Sequence, residues 1–238
     1  MKRSPWFVAA ALVALTIIGA APQLPAPVTR TLPNGLRVVV FPRAGLSIVQ
    51  TQLQVRAGLS AEAEGFSGLA FLTAQLLRQG STSRSADDIA TELDTLGATL
   101  AINVTRDVAQ VVTGSRAADL ESVLELVSDA VVNPLFAEEA LQGTRRQIAG
   151  QLGQLARNPQ ALTDERLSAL LFGSHPYARP LRGDLEALLG ATRDQAREFH
   201  RDHYRPDQSV LVIAGDVDPE RAFTAANEWF GRWEGRAK

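Results

Sequence analysis

The sequence contains no cysteine. That excludes disulfides, thiolate metal sites, a cysteine nucleophile and a lipid-bearing cysteine. Lysine is almost missing too, present only as Lys2 and Lys238, so nearly all positive charge is arginine. Formal net charge is −2 with no strongly basic stretch, and the electrostatic footprint of a nucleic-acid binder is therefore absent. Neither a Gly-rich phosphate loop nor a G-x-S-x-G turn occurs, which argues against nucleotide chemistry and a serine triad. Only three histidines are available as metal ligands. Beyond the N-terminus no run is long and apolar enough to span a membrane.

What is present is the composition of a folding chain. Apolar residues make up 45% of 238 positions, enough for a real core in one large domain or two small ones. Lys2 and Arg3 precede an apolar run from Trp6 to Ala21 that ends in the small residues Gly19-Ala20-Ala21. This is the pattern of an export signal, either cleaved or kept as an N-terminal anchor. The expected organisation is a signal or anchor over 1–21, a proline-rich spacer over 22–27 and a folded domain over 28–236. The domain is expected to be exported, in the periplasm or another extracytoplasmic space.

Periodicity gives the elements. Thr29 to Leu32 and Leu36 to Phe41 flank Pro33-Asn34-Gly35, a tight-hairpin signal in which both Asn and Gly tolerate positive φ. Leu46 to Ala57 alternates Val49, Leu53 and Val55 with Gln50, Gln52, Gln54 and Arg56, as in an antiparallel strand with one packed and one wet face. Helices are expected over Gly65 to Leu77, from a Ser85/Asp88 capping box to Gly97, and over Ala117 to Val132, Glu138 to Ala156 and Ala161 to Leu171. Two more run from Thr192 to about His203 and from Asp218-Pro219, the last burying Phe223, Trp229 and Phe230. Strands are expected over Thr99 to Val104, Val108 to Thr113 and Gln208 to Ala214. Gly143, Gly150 and Gly153 inside one helix indicate either tolerated drift or a neighbour too close for side chains. The mixed order predicts an α+β two-layer sandwich, a mainly antiparallel sheet with helices packed on one face.

An ordered set of short motifs resembles the insulinase/pitrilysin peptidase family, which includes the mitochondrial processing peptidase. They are Leu32-Pro33-Asn34-Gly35-Leu36-Arg37-Val38, Val55-Arg56-Ala57-Gly58, Gly68-Leu69-Ala70, Gly173-Ser174-His175-Pro176-Tyr177, Tyr204-Arg205-Pro206 and Ala214-Gly215-Asp216-Val217. In that family a helical H-x-x-E-H places two imidazoles on one zinc, and its Glu activates the bound water. A Glu on a second helix completes the site.

The resemblance sets that motif on Phe71-Leu72-Thr73-Ala74-Gln75 and the downstream Glu on Gln151. Phe71 and Gln75 then stand in the histidine positions and Ala74 in that of the base. No catalytic residue and no cofactor are expected: zinc belongs to the family, but its ligands are missing here. An ordinary core turn is the plainest reading of this segment, with Gln75 and Gln151 joined by a hydrogen bond between the helices. Ser115, Ser174 and Ser209 carry no triad context, and His175 reads as a structural loop residue. His200, Asp202 and His203 could form a separate metal site, but surface residues favoured by the helix dipole are the simpler account.

The resemblance also implies a peptide added as a strand beside Leu100, Ala101, Ile102 and Asn103, a contact made by main chain that survives loss of the metal. The family usually has Asn-Ala where this chain has Ala101-Ile102. The implied role is an inactive partner subunit in the peptide-binding chamber of an active zinc peptidase. The alternatives are a stand-alone peptide-binding or scaffold protein, or a zinc peptidase with substitute ligands. Family subunits hold two related domains of about this size, so an active subunit or a second half is the expected partner. Neither nucleic acid nor membrane beyond the N-terminal anchor is expected to bind.

Overall fold

The computed structural model describes residues 26–235. The export signal and most of the spacer lie outside the described residues. Six strands form one sheet: β1 (Val28–Thr31), β2 (Arg37–Pro42), β3 (Ile48–Val55), β4 (Thr99–Val104), β5 (Ala109–Arg116) and β6 (Ser209–Gly215). Their order is β1-β2-β6-β3-β5-β4, antiparallel throughout except for the parallel pair β2–β6. Eight helices complete the described chain: α1 (Leu69–Leu76), α2 (Ala86–Leu96), α3 (Leu120–Val132), α4 (Glu138–Leu155), α5 (Pro159–Phe172), α6 (Leu185–Gly190), α7 (Arg193–His203) and α8 (Pro219–Phe230).

The expected two-layer α+β sandwich is what forms. Along β3 the buried residues Val49, Thr51, Leu53 and Val55 alternate with the more open Ile48, Gln50, Gln52 and Gln54. Strand β6 repeats the pattern with Ser209, Leu211, Ile213 and Gly215 inside. The inner face meets α1, α3 and α8, while α4 and α7 pack behind α1. One polar pair lies within this face: the hydroxyls of Thr51 and Thr113 bond each other at 2.7 Å across β3 and β5.

Local signals account for many boundaries. Ser85 and Asp88 form the reciprocal capping box of α2, and Gly97 ends that helix in the left-handed conformation. Thr192 and Gln195 do the same for α7, and Asp218 caps α8 with Pro219 in its first turn. The hairpin between β1 and β2 departs from expectation. Gly35 alone takes a positive φ, of 93°. Asn34 turns its side chain inward instead, donating to the carbonyls of Phe230 and Trp233 at 2.7 and 3.1 Å.

Helix α1 begins at Leu69 and not at Gly65, because Gly68 occupies the left-handed region with φ 96°. The first turn of the helix expected from Ala117 is a separate 3-10 turn, Ala117–Asp119. Gly143, Gly150 and Gly153 have nothing within 4 Å of a side-chain position. The close-neighbour account of these glycines therefore fails among the described residues, and tolerated drift fits. Phe223 and Phe230 are buried on α8 as expected, whereas Trp229 is partly covered.

Candidate functional site

A buried carboxylate fixes the start of α1. The helix has no side-chain cap at Gly68, so its first N–H groups need another acceptor. Glu62 supplies it: the Gly68 N–H donates to both carboxylate oxygens at 3.1 and 3.2 Å, and the Ala70 N–H donates to Oε1 at 2.8 Å. Glu62 is only 5% exposed. Burial pushes its carboxyl up from 4.5 to about 7, against the pull of those N–H groups and of the nearby Arg179. Arg179 in turn donates to the carbonyls of Glu62 and Ala63 at 3.0 and 3.4 Å.

The same helix start is pressed against a distant loop. A side chain at Gly183 would lie 2.4 Å from the Cα of Gly68, and one at Gly68 would lie 2.8 Å from the Arg182 carbonyl. Both glycines have positive φ, so no other residue fits either position without strain. This backbone contact places Arg182 beside Phe71, its guanidinium carbon 5.8 Å from the ring centre.

Phe71 lines a cleft of about 450 Å³ between α1, the end of β4, α5 and the loop through Arg182. Asn103 and Arg106 line it as well. Arg106 reaches across to Ser168 Oγ at 3.0 Å and the Tyr177 carbonyl at 3.3 Å. The Tyr177 hydroxyl donates to Asp107 at 2.6–2.7 Å, which raises its own pKa. The segment Gly173 to Tyr177 thus docks on the turn between β4 and β5. His175 is a structural residue of that segment, its Nδ1 accepting the Tyr177 N–H.

The four residues in the expected metal positions diverge. Phe71 lines the cleft, partly buried. Ala74 is fully buried in the core. Gln75 faces a smaller space shared with Arg78 and with Gln147 of α4. Its Nε2 donates to the Ile102 carbonyl of β4 at 3.3 Å. The expected bond between Gln75 and Gln151 does not form: α1 and α4 pack together, but the residue opposite Gln75 is Gln147, one turn before the half-buried Gln151.

Zinc takes imidazole, thiolate or carboxylate donors. An aromatic ring, a buried methyl and a neutral amide bonded to a carbonyl do not fit it. Among the described residues, no group of three or more His, Cys, Asp or Glu could hold a metal ion.

The candidate second metal site also separates. His200 points inward, donating from Nε2 to the Val131 carbonyl at 2.7 Å and stacking on Tyr204. Burial drops its pKa to about 4. Asp202 and His203 instead line an open depression with Arg56 and Asp107. Of the expected peptide-contact residues, Leu100 and Ile102 are buried against the helices, and Ala101 and Asn103 are exposed. Strand β4 is a sheet edge.

Sequence reasoning missed Glu62, Gln147 and Arg182. Each acts through a neighbour on another element, and no local pattern marks such a contact.

Matches to known proteins agree with this architecture. Residues 38–185 match the sequence model of the insulinase family (peptidase family M16), and residues 190–238 match that of the peptidase M16 inactive domain. The chain belongs to the insulinase family. An uncharacterized zinc protease of Mycobacterium leprae is 29% identical over 201 residues, 84% of this chain and 45% of that protein. The crystal structure of a protease from Helicobacter pylori superposes with TM-score 0.86 at 20% identity, over 91% of this chain and 52% of that one. The first half of the periplasmic protease PqqL from Escherichia coli gives TM-score 0.81 at 18% identity, over 92% and 50%. The chain spans about half the length of the curated relatives it matches.

Proposed function

We propose that this protein is an exported, non-catalytic insulinase-family subunit that helps to form the peptide-binding chamber of an active zinc peptidase. One observation carries the reading: the α1 turn at the expected metal position offers Phe71 in the cleft, an Ala74 buried in the core and a Gln75 already bonded to Ile102. A metal ligand and a base to activate water are both missing from those positions. Without them the turn supports packing and not hydrolysis.

Two features support a role in assembly. Helix α5 has no buried residue and presents Leu167, Leu170 and Leu171 to solvent, an apolar surface of the sort that a partner covers. The outer sheet face carries Gln50, Gln52 and Gln54, which suits a chamber wall meeting water and peptide. Strand β4 supports the peptide-binding part. It is an edge strand, and edge strands accept added strands through main-chain bonds. The Gln75–Ile102 bond occupies one of its acceptors and leaves the rest.

The test is purification from the native cell envelope with metal analysis and a peptide-cleavage assay. The expected result is no bound zinc, no cleavage by the chain alone, and co-purification of a homologue with an intact H-x-x-E-H. Stoichiometric zinc with cleavage by the isolated chain overturns the non-catalytic reading, which the zinc-protease names of the relatives make the first alternative. Peptide binding by a chain that never co-purifies with a peptidase favours the stand-alone scaffold instead.

A further inference from the structure

The cleft beside Phe71 is lined by three arginines, Arg106, Arg179 and Arg182, and none of them forms an ion pair among the described residues. Arg182 is half-buried over the Phe71 ring and makes no ion pair or hydrogen bond among the described residues. Arg106 and Arg179, which share the cleft, donate only to neutral oxygens, those of Ser168, Tyr177, Glu62 and Ala63. Asp164 and Glu165 also line the cleft, but they are exposed on α5 and neither pairs with an arginine. Asp164 accepts from Gln160 instead.

We propose that this cleft is a carboxylate pocket. It receives an acidic side chain, or the C-terminal carboxylate, of an extended peptide paired on β4, with Arg182 as charge partner and Phe71 as the apolar wall. The proposal rests on the edge-strand reading above and adds the class of peptide. Three facts make the pocket specific. Its volume of about 450 Å³ has room for a Glu side chain. Asn103 and Val104, the last residues of β4, line it, so a strand added there passes its mouth. The tight contact of Gly68 with the Arg182–Gly183 backbone fixes the point from which the arginine projects over Phe71. A guanidinium partly withdrawn from water gains more from a carboxylate than an exposed one does, because the fork-shaped pair of N–H bonds forms in a less polar medium.

The test uses the full chain and fluorescein-labelled octapeptides rich in Val and Thr, bearing one Glu, its Gln isostere, or an amidated C-terminus, followed by fluorescence anisotropy. The Glu peptide is expected to bind about tenfold more tightly than the Gln peptide, with a preference that shrinks as salt is added. If amidation and not the Glu→Gln change removes the tenfold gain, the terminal carboxylate is the occupant. Arg182→Gln should erase the preference and Arg182→Lys retain part of it, both with an unchanged circular dichroism spectrum. Equal affinity for all three peptides, or a preference that survives Arg182→Gln, overturns the pocket and leaves the edge strand standing. No binding of any peptide overturns both.

Discussion

Helices α3 and α5 are of similar length and both rich in apolar residues, yet their fates are opposite. Helix α3 buries Leu120, Val123, Leu124, Leu126, Val127, Ala130 and Val131. Helix α5 buries none of its residues, and Leu170 and Leu171 are 83% and 68% exposed. In α3 the apolar positions form one stripe facing the sheet and α8. In α5 they are spread around the axis, and Leu167, Leu170 and Leu171 lie on a side turned to solvent and away from the sheet. What holds α5 is its own cap, Asn158 with Pro159 in the first turn, and one distant arginine, Arg106, bonded to Ser168 and placed over Phe172. The difference separates a region that makes the fold stable from one whose apolar surface serves something other than this core.

The strongest way to break that comparison is truncation in each helix. Leu124→Ala should cost about 4 kcal/mol, since the side chain is fully buried and leaves a cavity. Leu170→Ala should change stability by less than about 0.5 kcal/mol. Urea denaturation of both variants checks this. Replacing Leu167, Leu170 and Leu171 together with Gln should leave the unfolding midpoint nearly unchanged and abolish partner co-purification. A large loss of stability from that triple change would show that α5 belongs to the core after all.

pH sharpens the contrast between the cleft side and the packed side, because the buried Glu62 at the start of α1 and the buried His200 behind α3 act in opposite directions. Glu62, on the cleft side, has its pKa raised from 4.5 to about 7. Its contribution is full below pH 4.5 and is lost as pH rises toward 7. His200, bonded to Val131 of α3, has its pKa lowered from 6.5 to about 4. Its contribution is full above pH 6.5 and is lost as pH falls toward 4. Each shift corresponds to roughly 3 kcal/mol. Between about pH 4.5 and 6.5 the two slopes cancel, so these groups leave the wild type flat there. Glu62→Gln should expose the histidine slope, with stability rising from pH 4 to 6.5. His200→Gln should expose the opposite slope, with stability falling from pH 4.5 to 7. Denaturant titrations at half-unit pH steps read both, and a pair of variants with parallel profiles would contradict the assignment.

The packed region was also the more legible one in the sequence. Alternation in β3, the Ser85/Asp88 capping box and the Asp218-Pro219 start each depend on residues a few positions apart, and all three stand as expected. The family resemblance extended that legibility to the order of the motifs and to the fold. Around the cleft, local pattern runs out. Helix α1 was expected four residues early, because its start is set by Gly68 against a distant glycine and by a carboxylate outside the helix. A bond from Gln75 to Gln151 looked natural from two polar residues on adjacent helices. The edge strand lies closer, and Gln75 reaches Ile102 instead. Arg182 had no sequence signal at all, since its meaning comes from Phe71 across the cleft.

The smallest expected effect tests Gln75, one of the residues in the expected metal positions. If Gln75 is a structural tie between α1 and the edge strand, Gln75→Ala removes one hydrogen bond to the Ile102 carbonyl and costs about 1 kcal/mol. Gln75 borders a space open to water and β4 is an edge strand, so water can take the place of the amide at that carbonyl, and the loss should not approach that of Leu124→Ala. The same change frees an acceptor on β4. Peptide affinity should then stay level or rise while stability falls, the opposite of a residue that itself contacts peptide. Parallel losses of stability and affinity in Gln75→Ala would move this side chain from the fold's side of the comparison to the binding side.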